Sequence, residues 1–170
     1  MKKIVMLVCV TFFLSQLNAV RADYVLPYPS YMPGNFFYKI SRVVDQAKSY
    51  WYWGPIASIK YHLGLSDKYL VEAKTLFEYK QYLLASNALV RSDKQLADIQ
   101  NLLQQGGKNG EDMSQQRQII QEAMRAHMAV IAALKTELPK EFIWKPEKTS
   151  ETQINIEDIL TASYKIRQGM

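Results

Sequence analysis

The side chains available for metal or nucleophilic chemistry are few: His62, His127 and one cysteine, Cys9, in 170 residues. A helical metal motif needs a second histidine or a carboxylate three or four residues away, and neither histidine has one. The nearest acid before His127 is Glu122, five residues earlier. His127 falls on an apolar stripe and reads as a core histidine with a local hydrogen-bond partner, while His62 flanks a second stripe with Tyr69 and Leu76 at seven-residue steps. No serine lies in a Gly-x-Ser-x-Gly context, and the glycines at 106, 107 and 110 lack the Gly-Lys-Ser/Thr ending of a phosphate loop. Glu72 with Glu78, or Glu111 with Asp112, supply the two carboxylates that glycoside hydrolysis requires, but solvated or helix-capping carboxylates are the ordinary reading. No catalytic, cofactor-binding or metal residue is therefore assigned, and an envelope hydrolase is the third-ranked function.

The most unusual local feature is Tyr50-Trp51-Tyr52-Trp53, with Tyr61 close by. Four consecutive aromatic side chains cannot all face one core, so some remain exposed unless another segment covers them. Such a patch stacks on sugar rings, rests at a lipid headgroup layer or anchors a protein. Together with Tyr28 and Tyr31 from the Pro-rich segment before it, these four form the candidate partner surface. The leading expectation is a non-enzymatic interaction module whose partner is a protein or an envelope component. Its rival is a peripheral membrane protein with Lys48, Lys60 and Lys68 beside the aromatics. Nucleic acid is excluded as a partner: charges alternate in sign along every segment, with no basic stripe.

The elements that would position these residues are helical. Pro27, Pro29, Pro33 and Gly34 forbid regular structure over residues 23–35 and predict an extended, Pro/Tyr-rich arm. Asn35 is an N-cap residue, and Phe36, Phe37, Ile40, Val43, Val44, Ala47 and Trp51 predict a helix with one buried stripe, stopping near Gly54. A second helix runs from Pro55 to about Glu78: Ile56, Ile59, Leu63, Ser66, Leu70, Ala73 and Phe77 keep phase through Gly64. A third stripe is Ala85, Leu89, Ser92, Leu96, Ile99 and Leu103, closed by a loop over residues 106–110. Asp112 and Gln115 resemble a capping box before Ile120, Met124, His127, Ile131, Leu134 and Leu138. Pro139 ends that helix, a polar stretch runs to about Thr152, and Ser150 or Asn155 caps a last helix with Ile156, Ile159, Leu160, Ser163 and Ile166. No alternating strand pattern persists. The fold class is all-α, an antiparallel bundle or array of four to five helices, with residues 36–170 as one domain.

Residues 1–22 have the n-, h- and c-region order of a secretory signal: Lys2-Lys3, an apolar run from Ile4 to Leu14, and an exit at Ala19-Val20-Arg21-Ala22. Eleven residues make roughly 16 Å of helix, short of the ~30 Å hydrocarbon core. Cleavage is expected after Ala22, with Ala19 as a second place and a retained anchor as a third outcome, giving an exported, cysteine-free product. Removing Lys2, Lys3 and Arg21 from the +5 of the whole chain leaves 18 basic against 16 acidic residues, a balance of +2.

Leu26-Pro27-Tyr28-Pro29, Met32-Pro33, Tyr38, and then His62-Leu63-Gly64-Leu65 with Leu70, Glu72 and Ala73 resemble an uncharacterised domain family of exported and membrane-attached bacterial proteins. That family has a Leu-Pro-x-Pro lead-in, a second Leu-Pro, a Tyr, and a His-Leu-x-Leu helix. The likeness spans about residues 25–105 and extends more loosely over the last two helices. This chain departs from it with Met32 for Leu, Asn35-Phe36 for Ser-Pro, and Gly64 for a charged residue. The resemblance implies a helical envelope domain and a recurring structural place for His62, and it carries no catalytic or binding residues to transfer.

Overall fold

The computed structural model describes residues 24–146 and 150–170. An extended arm leads into α1 (Phe36–Lys48), a 3-10 turn (Ser49–Trp51), α2 (Pro55–Glu78), α3 (Tyr82–Lys108), α4 (Ser114–Glu137), strands β1 (Glu141–Trp144) and β2 (Thr152–Asn155), and α5 (Ile156–Gln168). Among the described residues the architecture is thus all-α in class, five helices packed against each other with one small two-stranded sheet. The expected signal segment lies outside the described residues.

α2 and α3 form the main antiparallel hairpin. Its turn is closed by Lys80 N–H donating to the Phe77 carbonyl (2.9 Å) and Gln81 N–H donating to the Leu76 carbonyl (2.8 Å). This is a Schellman closure with Lys80 at the left-handed position, φ 58°. α4 and α5 form the second hairpin, which packs α5 on α3 and α4 on α2. α2 is continuous through Gly64. α3 runs through Gly106 and Gly107 to Lys108, two glycines further than the expected loop boundary. A Cβ on Gly106 would stand 1.7 Å from the tip of Met113, so the glycine admits that side chain where the chain turns back toward α4. The expected capping box is a smaller device: the Asp112 carboxylate accepts from Ser114 N–H at 2.9 Å, and α4 starts at Ser114 without a side-chain cap. The polar stretch after Pro139 contains a ladder pairing Glu141 with Asn155 through Trp144 with Thr152. Phe142 from β1 packs on Tyr82 at 4.7 Å. Asn155 then caps α5, accepting from Asp158 N–H at 3.0 Å.

The apolar core is in two parts. Leu70, Phe77, Leu89, Ile131 and Leu160 belong to one; Ile59, Leu63, Leu96, Ile99, Ile120 and Met124 belong to the other. On every bundle helix the boundary falls at polar residues: Ser66 and Asp67 on α2, Ser92 and Asp93 on α3, His127 on α4, Ser163 and Arg167 on α5.

The expected buried stripe of α1 is not buried. No residue of α1 is buried, and Phe36, Phe37, Ile40, Val43 and Val44 face solvent. α1 docks by its opposite side. The Tyr38 hydroxyl donates to Glu72 at 2.9 Å, Lys68 donates to Ser41 at 2.9 Å and pairs with Asp45, and the Tyr61 hydroxyl donates to the Asp45 carbonyl at 2.6 Å. Periodicity fixes that a helix has an apolar face, but polar partners on α2 decided which face turned inward.

Candidate functional site

The polar layer is a single connected network. Arg167, 1% exposed, donates Nε–H to His127 Nδ1 (3.3 Å), one terminal nitrogen to Asp93 (2.5 Å) and to Ser163, and the other to Ser92 Oγ (2.8 Å). Arginine only donates, so His127 Nδ1 is the acceptor and Nε2 carries the proton, which it gives to Asp67 Oδ1 at 2.7 Å. The Tyr24 hydroxyl of the arm donates to the other Asp67 oxygen at 2.5 Å. Ser92 Oγ also donates to the Ser66 carbonyl at 2.8 Å. Burial holds the His127 imidazole below its ordinary value, with Arg167 adding to the effect and Asp67 opposing it, so it is neutral. Burial, then the bond to Asp67 and its charge, push the Tyr24 phenol far above its usual value, so it stays a donor. Burial lowers the Arg167 guanidinium while Asp93 raises it.

An Asp-His pair with serines nearby invites comparison with a hydrolase triad. The geometry answers against it: the serines bond to Arg167, Asp93 and each other, none bonds to His127, and His127 has no exposed surface. Of this network only Tyr24 and Asp67 reach a cleft, about 750 Å³ in volume, between the N-terminal halves of α2 and α4.

The second carboxylate-rich place is Glu72, buried and paired with Arg91 at 2.6 Å. It accepts from Tyr38, whose phenol is raised by burial and then by Glu72. Glu78 is instead an exposed partner of Lys74 at 3.1 Å. Glu72 and Glu78 therefore serve different contacts. Glu111 is on the cleft and Asp112 closes the turn before α4. His62 bonds Gln95 at 2.8 Å across the α2–α3 hairpin and lies edge-on to Tyr61. His127's partner is not local, as its stripe had suggested, but 60 residues away. Among the described residues no three His, Cys, Asp or Glu side chains cluster as a metal site.

The aromatic run is open to solvent: Tyr50, Trp51 and Trp53 are 81%, 76% and 83% exposed, so the arm does not cover them. Tyr52 is the most sheltered, stacked on Tyr61 at 5.1 Å. Trp53 donates its indole N–H to the Tyr50 carbonyl, and Gly54, at φ 82°, turns the chain into α2. Tyr28 and Tyr31 are also exposed, Tyr31 against Phe37 at 5.6 Å. The aromatics thus continue the outward face of α1. At 3.6 residues per turn Phe36, Ile40, Val43, Val44 and Ala47 share one arc, with Lys39 beside Val43 and Lys48 beside Val44 at its two edges. No helix among the described residues is long and apolar enough to cross a membrane.

A family described as a domain of unknown function, DUF5667, matches residues 30–141. The match begins after Leu26-Pro27-Tyr28-Pro29, runs through α4, the first of the two helices over which the likeness was expected to extend more loosely, and stops before α5. No curated protein and no solved structure matches the chain.

Proposed function

We propose that this chain, which belongs to the DUF5667 family, is an exported, non-enzymatic docking module that seats on the lipid surface of a cell envelope. The contact is made by α1, the 3-10 turn and Trp53. The observation that carries this reading is the inverted docking of α1, whose polar side is tied to α2 while its apolar side and the aromatics stay outside. An apolar arc edged by lysines, continued by Tyr and Trp, suits the boundary between headgroups and acyl chains. The lysine stems extend along the apolar surface while their ammonium groups reach phosphates. Burying half a dozen such side chains is worth on the order of 10 kcal/mol before the costs of association. Tyr31, beside Phe37, and the exposed Tyr28 extend the same contact.

Co-sedimentation of the purified protein with phosphatidylcholine vesicles, with and without phosphatidylglycerol, tests it. Binding should rise with the anionic lipid, weaken with salt, and fall sharply in Val43→Ser/Trp51→Ser, whose substituted residues are exposed and leave the bundle intact. If the vesicles stay unoccupied while crosslinking in intact cells captures a protein that the variant loses, the face is a protein-docking surface and the lipid reading fails.

A further inference from the structure

The cleft between α2 and α4 shares Trp53 with the lipid-docking surface and is otherwise lined by different residues. Its walls are apolar, with Ile56, Ile59 and Leu63 on one side and Ile119 and Ile120 on the other. Its charged and amide lining residues are Lys60 and Gln115, both exposed, Glu111 and Gln116, both half-buried, and Asp67, the buried one. The Asp67 side chain, at the floor, is 9% exposed. Gln116 lines the same cleft, and its side-chain oxygen is buried without a hydrogen-bond partner. An unpartnered buried acceptor is unusual enough to need a donor. The Tyr24 hydroxyl already spends its proton on Asp67.

The charge of the layer behind the floor points the same way. Asp67 and Asp93 contribute two carboxylates, Arg167 one guanidinium, and His127 is neutral because its Nδ1 accepts from Arg167. One negative charge is left over, Lys60 and Glu111 on the cleft lining cancel each other, and Asp67 is the carboxylate that faces the cleft rather than the guanidinium. Gly64 sits on the α2 wall with open space where its side chain would project, so the cleft is wide beside the floor because residue 64 has none.

We infer that this cleft is a binding site for an amphiphile with a single apolar chain and a cationic, hydrogen-bond-donating head, an alkylammonium group being the simplest form. The chain lies between the isoleucines of α2 and α4, and the ammonium donates to Asp67 and to the Gln116 oxygen. A volume of about 750 Å³ is in the range of small-molecule sites, which pair apolar walls with few convergent polar groups. A carboxylate head meets Asp67 and is repelled, and an alcohol fills the chain site with one donor and no charge.

Titration calorimetry of the protein with octylamine, octanol and octanoate at neutral pH reads the selectivity directly. Octylamine should bind saturably at one site, about tenfold or more tighter than octanol, as a charge-assisted contact implies, with octanoate weaker still. Gly64→Leu should abolish octylamine binding without lowering the melting temperature, since it replaces a helix-interior glycine. Asp67→Asn should remove the preference for the amine over the alcohol. Val43→Ser/Trp51→Ser, which disables the lipid-docking face, should leave octylamine binding unchanged, so the two proposals fail separately. Absence of saturable binding, equal affinity for amine and alcohol, or undiminished binding by Gly64→Leu would each overturn the assignment.

Discussion

Replacing Arg167 by Met removes the hub of the polar layer while keeping a long, flexible side chain at the same place. The guanidinium makes contacts with His127, Asp93, Ser92 and both the hydroxyl and carbonyl of Ser163. Without it Asp93 is a half-buried carboxylate, its side chain 16% exposed, whose remaining donor is Ser163, and about 3–5 kcal/mol, the cost of removing one partner of a fully buried pair, is the upper bound. Against a total stability of about 5–15 kcal/mol, that is a large fraction. Asp93→Leu alone strands the cation and should cost a similar amount. The double variant has neither charge, and its remaining cost is the unsatisfied His127 Nδ1 and serines, about 1–3 kcal/mol. Urea unfolding followed by far-UV circular dichroism at neutral pH gives all three values. The double variant should be more stable than either single one, with a coupling of several kcal/mol. If the double variant is destabilised by the sum of the two, or Arg167→Met costs less than about 1 kcal/mol, the layer is not the connected charge network described.

Three further outcomes follow from other parts of the fold. The folded-state value of His127 is depressed below the ordinary 6.5, so the unfolded chain takes up its proton first as pH falls. Stability is therefore full above that value and is lost below it, by at most about 1.4 kcal/mol per pH unit. His127→Gln, which can donate to Asp67 and accept from Arg167, should flatten the urea midpoint between pH 7 and 5.5 relative to the parent, and an unchanged slope rejects the assignment. Lys80→Gly places the residue that tolerates φ 58° without a Cβ penalty, and should raise stability by roughly 0.5–1 kcal/mol in thermal unfolding. Lys68→Met cuts the link to Ser41 and Asp45. Hydrogen exchange should accelerate in residues 36–48 while α2 and α3 keep their protection.

The bundle helices are legible because each carries a long stripe in unbroken phase, which continues even through Gly64. The polar layer was written in the same stripes: Ser66, Ser92, His127 and Ser163 each occupy a core position. Its meaning depended on their lying at one level, which a single helix cannot reveal, and its two acids and Arg167 lie off the stripes. β1 and β2 have four residues each, with Ile154 their single buried side chain, too short for an alternation to register. α1 was recognised as a helix, but its Asn35 cap and apolar arc are equally consistent with either orientation. Lys68, Glu72 and Tyr61 on α2 settled that by holding its polar side. Composition alone marks the Tyr50 to Trp53 run, and its exposure depends on where the arm lies.

The lipid-docking proposal is tested most directly by the fluorescence of Trp51 and Trp53 in a Trp144→Phe background, titrated with anionic vesicles carrying brominated acyl chains. If the outward face of α1 seats in the headgroup boundary, the emission shifts to the blue and is quenched by bromines near the top of the acyl chain, and Val43→Ser/Phe37→Ser suppresses both changes. Emission that stays at the wavelength of solvent-exposed tryptophan, unquenched at saturating lipid, contradicts the proposal.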